Sequence, residues 1–265
     1  MYNRFHLIKK YLQYYFSASN GKGHGVHSPF VFDFITHVLQ DDKKYAVYAN
    51  IEKLRDQLLQ NHNVLEVEDM GAGSSDNPSS RRKIKAIANS SLKSKKFSQL
   101  LFRIVQYYKP STIIELGTSL GITSCYLAAG NPAARVFTFE GAKSIASVAA
   151  QNFAKAGFSN IELVVGNFNN TLLPALKNMD SIELAFIDGN HRKLPTLDYF
   201  EWLRKKSGSH SILIFDDIHW SKEMEEAWSE IQKHPDVTLT IDLFFVGLVF
   251  FSGQFKARQH FSIRF

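Results

Sequence analysis

Ile113-Ile114-Glu115-Leu116-Gly117-Thr118-Ser119-Leu120-Gly121-Ile122-Thr123 reads as a buried strand, an acid, a glycine loop and the first turn of a helix. Nineteen residues past Gly121, Val136-Phe137-Thr138-Phe139-Glu140 forms a second apolar strand ending in another acid. A strand, glycine loop, helix, strand and acid in this order suit a nucleoside. Glycines let the backbone approach the ligand, and the second carboxylate accepts hydrogen bonds from ribose hydroxyls.

Outward from this unit, strands and helices alternate, which marks a mostly parallel α/β sheet. Strands are expected at 112–116, 135–139, 161–165, 183–187 and 211–215, and helices at about 122–130, 143–156, 170–178, 195–205 and 221–233. The last two apolar runs, 237–243 and 247–251, have no crossover helix between them and must pair antiparallel. The tail from Lys256 to Phe265 is basic and aromatic and carries no clear element.

Before this unit the chain is mainly helical. Phe5, Ile8, Leu12, Tyr15 and Phe16 recur at helical spacing, with Lys9 and Lys10 among them. Such a helix lies on a membrane surface, docks on its own domain or docks on a second subunit, and the pattern leaves the three open. Helices are also expected at 31–39 and 46–59, and a short strand at 64–68. That strand runs into Asp69-Met70-Gly71-Ala72-Gly73-Ser74, a second glycine loop. No strand ending in an acid follows it at the right distance, so 69–74 reads as turn chemistry.

The net charge of +6 belongs to the leading part: residues 1–96 hold 15 basic and 9 acidic residues, and residues 97–265 hold 16 of each. Within 81–96, Arg81, Arg82, Lys83, Lys85, Lys93, Lys95 and Lys96 face no acid in sequence. The block suits either a solvated helix surface or an anion-seeking face. Cys125 is the one cysteine, which excludes a disulfide framework or a thiolate metal cage. No apolar run reaches membrane-spanning length, and the start makes a poor signal peptide, so a cytoplasmic protein is expected.

Together these motifs resemble the class I S-adenosylmethionine-dependent methyltransferases, most of all the small-molecule O-methyltransferases of the catechol type and their bacterial relatives. The resemblance covers about 97–251. It implies a Rossmann-like, seven-stranded, mostly parallel sheet with an antiparallel C-terminal hairpin strand, and a methyltransferase domain over 97–265. Residues 1–96 then form a mainly helical lead or lid.

The resemblance also implies roles. Glu115, Gly117, Thr118, Ser119 and Gly121 correspond to the loop around the methionine part of the cofactor, with Thr123 on its carboxylate. Ser119 replaces the middle glycine of the fuller motif. Glu140 corresponds to the ribose acid, and Gly166 with Asn167 to the turn beside adenine. Asp188, Asp216 and Asp217 lie at two strand ends, an all-oxygen set suited to Mg²⁺. Asp188 is also counted with the cofactor site. His191 takes the place of the usual lysine base, and Asp188 and His191 are the expected catalytic pair. His219 and Trp220 are expected at the substrate pocket.

The implied activity is methyl transfer from S-adenosylmethionine to a hydroxyl of a small molecule, assisted by a divalent metal and a histidine base. A nucleic-acid methyltransferase using the 81–96 segment and a non-catalytic cofactor-binding scaffold are the alternatives. A homodimer is left open, and the acceptor is not readable.

Overall fold

The computed structural model describes residues 1–23, 26–67, 80–255 and 257–265. The second glycine loop at 69–74 and His24 of the leading loop lie outside the described residues. In chain order, the leading part contains helices α1 (Arg4–Ser17) and α2 (Pro29–Phe34), a π-helical turn at Ile35–Leu39, and α3 (Ala46–Leu59). Strands β1 (Val64–Val67) and β2 (Ser80–Lys83) follow, then α4 (Ile84–Ser91) and α5 (Lys95–Tyr108). The alternating part runs β3 (Thr112–Leu116), α6 (Ile122–Gly130), β4 (Arg135–Glu140), α7 (Lys143–Ala156), β5 (Ile161–Val165) and α8 (Phe168–Lys177). It continues with β6 (Ile182–Ile187), α9 (Lys193–Arg204), β7 (Ser207–Asp216), α10 (Lys222–Lys233), β8 (Leu239–Asp242), β9 (Val246–Phe250) and β10 (Gln259–Ser262).

The chain divides into two compact units, one of Asp42–Asn178 and one of Met1–Asp41 with Met179–Phe265. The first 96 residues are thus shared between both. In the first unit β3, β4 and β5 pair in parallel, with Glu115 opposite Thr138 and Glu140 opposite Val165. β3 and β4 are apolar because both their faces are covered, as in parallel sheets, while β5 is half-exposed. Ile113, Ile114, Leu116, Val136 and Phe139 are fully buried. A core of Ile51, Leu54, Ile87, Phe102, Tyr126, Ala149 and Phe153 joins α3, α4, α5, α6 and α7. The β1–β2 pair is antiparallel and separate, and places Arg81, Arg82 and Lys83 on an exposed strand. The sequence reading had these three in helix.

In the second unit the strand order is β10, β8, β9, β7, β6. β6 and β7 are parallel, while β9 runs antiparallel to both β7 and β8, which is the expected hairpin. β10 pairs in parallel with β8, so the unassigned tail supplies an edge strand. With it the described residues give the two units eight such strands, one more than the seven expected. Its residues, Gln-His-Phe-Ser, alternate exposed and half-exposed. An edge strand with so little apolar content carries weak periodicity.

Local chemistry explains the helix starts. Asn3 caps α1 by accepting the His6 amide at 2.8 Å, and Ser221 caps α10 by accepting the Met224 amide at 3.2 Å. At Gly247 of β9, an added Cβ would lie 2.5 Å from the Trp228 ring of α10. Helix and strand touch here because glycine has no side chain. Gly247→Ala is therefore expected to lower unfolding free energy by about 1–3 kcal/mol, as overpacking does. Urea denaturation followed by circular dichroism measures it; a midpoint equal to wild type would contradict this packing.

Candidate active site

The glycine loop of the first unit is held from three sides. Both the Gly117 and Thr118 amides donate to the Phe139 carbonyl at 3.0 Å, so the loop folds over the end of β4. Gly121 has φ +83°, a left-handed conformation that side chains disfavour, and a Cβ there would meet the Phe153 ring at 2.5 Å. Ser119 is also left-handed, at φ 47°. Its amide donates to Glu140 Oε2 at 2.8 Å, and its hydroxyl lies 2.7 Å from that of Ser91. These bonds offset the roughly 1–2 kcal/mol cost of that conformation.

Glu115 is wholly buried on β3. One oxygen, Oε2, accepts the Ser124 hydroxyl of α6 and, at 2.6 Å, the Thr138 hydroxyl of β4. Thr138 in turn lies 2.6 Å from the Thr118 hydroxyl of the loop. A carboxylate thus ties strand, loop and helix through three hydroxyls. Its other oxygen, Oε1, has no partner among the described residues. Burial pushes the Glu115 carboxyl up to about 7, against the two hydroxyl bonds, which lower it.

Glu140 sits at the end of β4, half-buried. Its two oxygens accept the Ser119 amide at 2.8 Å and the Ala142 amide at 3.0 Å. Burial raises this carboxyl too, opposed by those amides. A carboxylate oxygen accepts more than one hydrogen bond, so both retain capacity for ligand hydroxyls. Thr123 is buried in the first turn of α6, whose starting residue Gly121 offers no side-chain cap. Such a helix start leaves amides for an anion. Gly166 donates its amide to the Glu140 carbonyl at 2.9 Å, which seats the next turn against the same strand end. Asn167 caps α8, accepting the Asn169 amide at 2.9 Å. The first unit therefore brings Glu115, Gly117, Thr118, Ser119, Gly121, Thr123, Glu140 and Gly166 around the ends of β3 and β4.

The second unit carries the other expected residues. Ile187 of β6 lies opposite Phe215 of β7, so Asp188 and Asp216 leave neighbouring strand ends. His191 Nε2 lies 3.6 Å from Asp188 Oδ1, both partly exposed. Asp216 is buried. Asp217 takes a left-handed turn (φ 53°), donating its amide to Phe245 and accepting from Trp220.

Among the described residues no three His, Cys, Asp or Glu side chains group so as to hold a metal ion. Asp188, Asp216 and Asp217 do not form the expected Mg²⁺ set. Asp217 lines a cavity of about 290 Å³ with Tyr11, His219, Trp220, Phe244 and Phe245.

His219 holds a position the spacing did not reveal. Its Nδ1 lies 3.1 Å from Glu225 and its Nε2 2.8 Å from Asp242, and its ring stacks on Phe244. Burial disfavours the charged ring, but the two carboxylates outweigh it and raise its basicity. The acids lie 6 and 23 residues away, so only the fold brings them together.

Comparison with known proteins agrees with this architecture. Residues 114–218 match a family model described as a methyltransferase domain. A curated relative, the O-methyltransferase imqG of Aspergillus flavus, is 34% identical over 112 residues. That match covers 40% of this chain and 44% of the relative, so the chain aligns with less than half of it. Among solved structures, an O-methyltransferase from Bacillus cereus in complex with S-adenosylhomocysteine is similar with TM-score 0.56 at 19% identity. It covers 81% of this chain and 95% of that one. The O-methyltransferase TomG of Streptomyces achromogenes, in complex with S-adenosylmethionine, gives the same TM-score and identity over 83% and 95%. The fold is similar to that of these O-methyltransferase structures.

The Glu115 carboxyl has a thermodynamic consequence. Its value of about 7 in the folded protein lies above the ordinary 4.5, so the folded state holds the proton more tightly. This contribution to stability is complete below pH 4.5 and is lost as pH rises through about 7. Against Glu115→Gln, wild type should lose on the order of 3 kcal/mol across that window, with a constant difference above it. Denaturant melts of both proteins from pH 4 to 8 read this; parallel curves would show that Glu115 titrates normally.

Proposed function

We propose that this chain is an S-adenosylmethionine-dependent O-methyltransferase acting on a hydroxyl of a small molecule. The single observation behind this is the glycine loop folded over β4, with its Ser119 amide fixed on Glu140. Together with the matched segment 114–218, it supports a nucleoside cradle of the methyltransferase kind. The residues fit the cofactor. Glu140 keeps acceptor capacity for ribose hydroxyls, the α6 start suits a carboxylate, and Glu115 Oε1 is a buried acceptor left over.

When bound, S-adenosylmethionine supplies a methyl group made electrophilic by its sulfonium. The protein's own part is assigned to the second unit. Asp188 orients the His191 imidazole, and His191 takes the proton of the acceptor hydroxyl. The acceptor oxygen, freed of its proton, would then be the nucleophile toward the methyl group that the bound cofactor would supply. Positioning of nucleophile and methyl group contributes much of the acceleration. Among the described residues no three side chains group for the Mg²⁺ expected from the resemblance, and proton removal is assigned here to His191.

Calorimetry with S-adenosylhomocysteine is expected to show binding, weakened at least roughly ten-fold by Glu140→Ala, which loses a charged hydrogen-bond acceptor. With a hydroxylated acceptor panel, His191→Ala should lower kcat by roughly 10²–10⁴-fold while the affinity for S-adenosylhomocysteine is unchanged. Failure of the wild type to bind S-adenosylhomocysteine would remove this reading. Full turnover by His191→Ala would remove the base assignment.

A further inference from the structure

Helix α1 presents an apolar face to solvent. Phe5 and Phe16 are 85% and 81% exposed, and Ile8, Leu12 and Tyr15 are also exposed. These five residues fall on one stripe of the helix, since their spacings of three, four and seven repeat its turn. Single exposed apolar residues are ordinary, but a contiguous stripe of this size marks an interaction surface.

The helix cannot roll to hide this stripe, because its opposite side is fixed. Tyr14 is buried and donates to the Ile263 carbonyl, and Tyr11 meets Phe244 edge to face at 5.0 Å. Lys10 bridges Glu225 at 2.8 Å, and the Tyr2 hydroxyl donates to the same carboxylate at 2.8 Å. The apolar stripe therefore faces outward by construction. Ile8 and Leu12 also line the mouth of the 290 Å³ cavity with Trp220 and Phe245, both partly exposed.

Charge decides the partner. The first 32 residues contain no acid and four bases, Arg4, Lys9, Lys10 and Lys22. Arg4 and Lys9 flank the stripe on either side, and the Arg264 guanidinium lies over the Tyr15 ring at 5.3 Å. An interface between two copies would set this basic-bordered patch against an identical one, with no acid in the first 32 residues to answer its charge. An anionic bilayer accepts both the aromatic stripe and its basic borders, with Trp220 and Tyr15 suited to the headgroup level.

We propose that the outer face of α1 is a docking surface for a lipid bilayer bearing anionic headgroups. The full chain should co-sediment with phosphatidylcholine vesicles containing about 30% phosphatidylglycerol, partitioning at least roughly ten-fold better than onto phosphatidylcholine alone. Each basic residue near such a surface multiplies partitioning roughly five-fold, so Lys9→Glu should cost roughly ten-fold or more on the anionic vesicles only. The double variant Phe5→Ser/Phe16→Ser changes only exposed side chains. It should lose at least roughly ten-fold on the same vesicles with an unchanged melting curve and unchanged S-adenosylhomocysteine affinity. Equal sedimentation with neutral and anionic vesicles would overturn the proposal, as would wild-type partitioning of the double variant. Sedimentation velocity adds another arm: a wild-type dimer that the double variant converts to monomer, without vesicle binding by either, would assign the face to a second copy.

Discussion

The site of the first unit depends on a single buried carboxylate. Glu115 has no exposure to water, yet it joins β3 to Thr138 on β4 and Ser124 on α6, and through Thr138 to Thr118 in the loop. Burying a carboxylate is costly unless hydrogen bonds replace water, and here two hydroxyls do so on one oxygen. The remaining cost appears as the raised carboxyl of Glu115. Together with the Gly117 and Thr118 amides on the Phe139 carbonyl, this junction fixes the loop against the strand ends, where the Ser119 amide meets Glu140.

The two units differ in the chemical groups they offer. The first offers backbone amides, left-handed loop residues and carboxylates with spare acceptor capacity, which suits a polar nucleoside. The second offers a His–Asp pair and an apolar cavity lined by aromatic rings. His219 shows how tightly that cavity's floor is set. Glu225, which holds one of its nitrogens, also receives Lys10 and Tyr2 from the leading segment. The amino-terminal segment is thereby tied through Glu225 to His219, which lines the cavity.

How much could be read beforehand follows from where the physical signal resides. The run Ile113–Thr123 and the strand ending at Glu140 were legible because a buried parallel strand is a continuous apolar run, broken by an acid and glycines. The hairpin of β8 and β9 was legible for the same reason. β2 was not, since Ser-Arg-Arg-Lys has no apolar face and, among the described residues, pairs only with β1. β10 was not, because an edge strand with one partner needs little apolar content. In α1 the helix was legible but its orientation was not. The conspicuous stripe of Phe5, Ile8, Leu12 and Phe16 faces water, while the quieter Leu7, Tyr11 and Tyr14 face inward. Tyrosine hydroxyl bonds and one ion pair decide that choice, and neither leaves a periodicity. The three aspartates suggested a metal set from two neighbouring strand ends and a family resemblance; the left-handed backbone at Asp217 is not legible in either.

The most direct measurement is amide hydrogen exchange of the full chain with and without S-adenosylhomocysteine. If Glu140 and the loop cradle the adenosyl donor, protection should rise at 117–123 and 140–142, with lesser change elsewhere in the first unit. Unchanged exchange in those two segments with a saturating ligand, and new protection confined to other elements, would contradict the account.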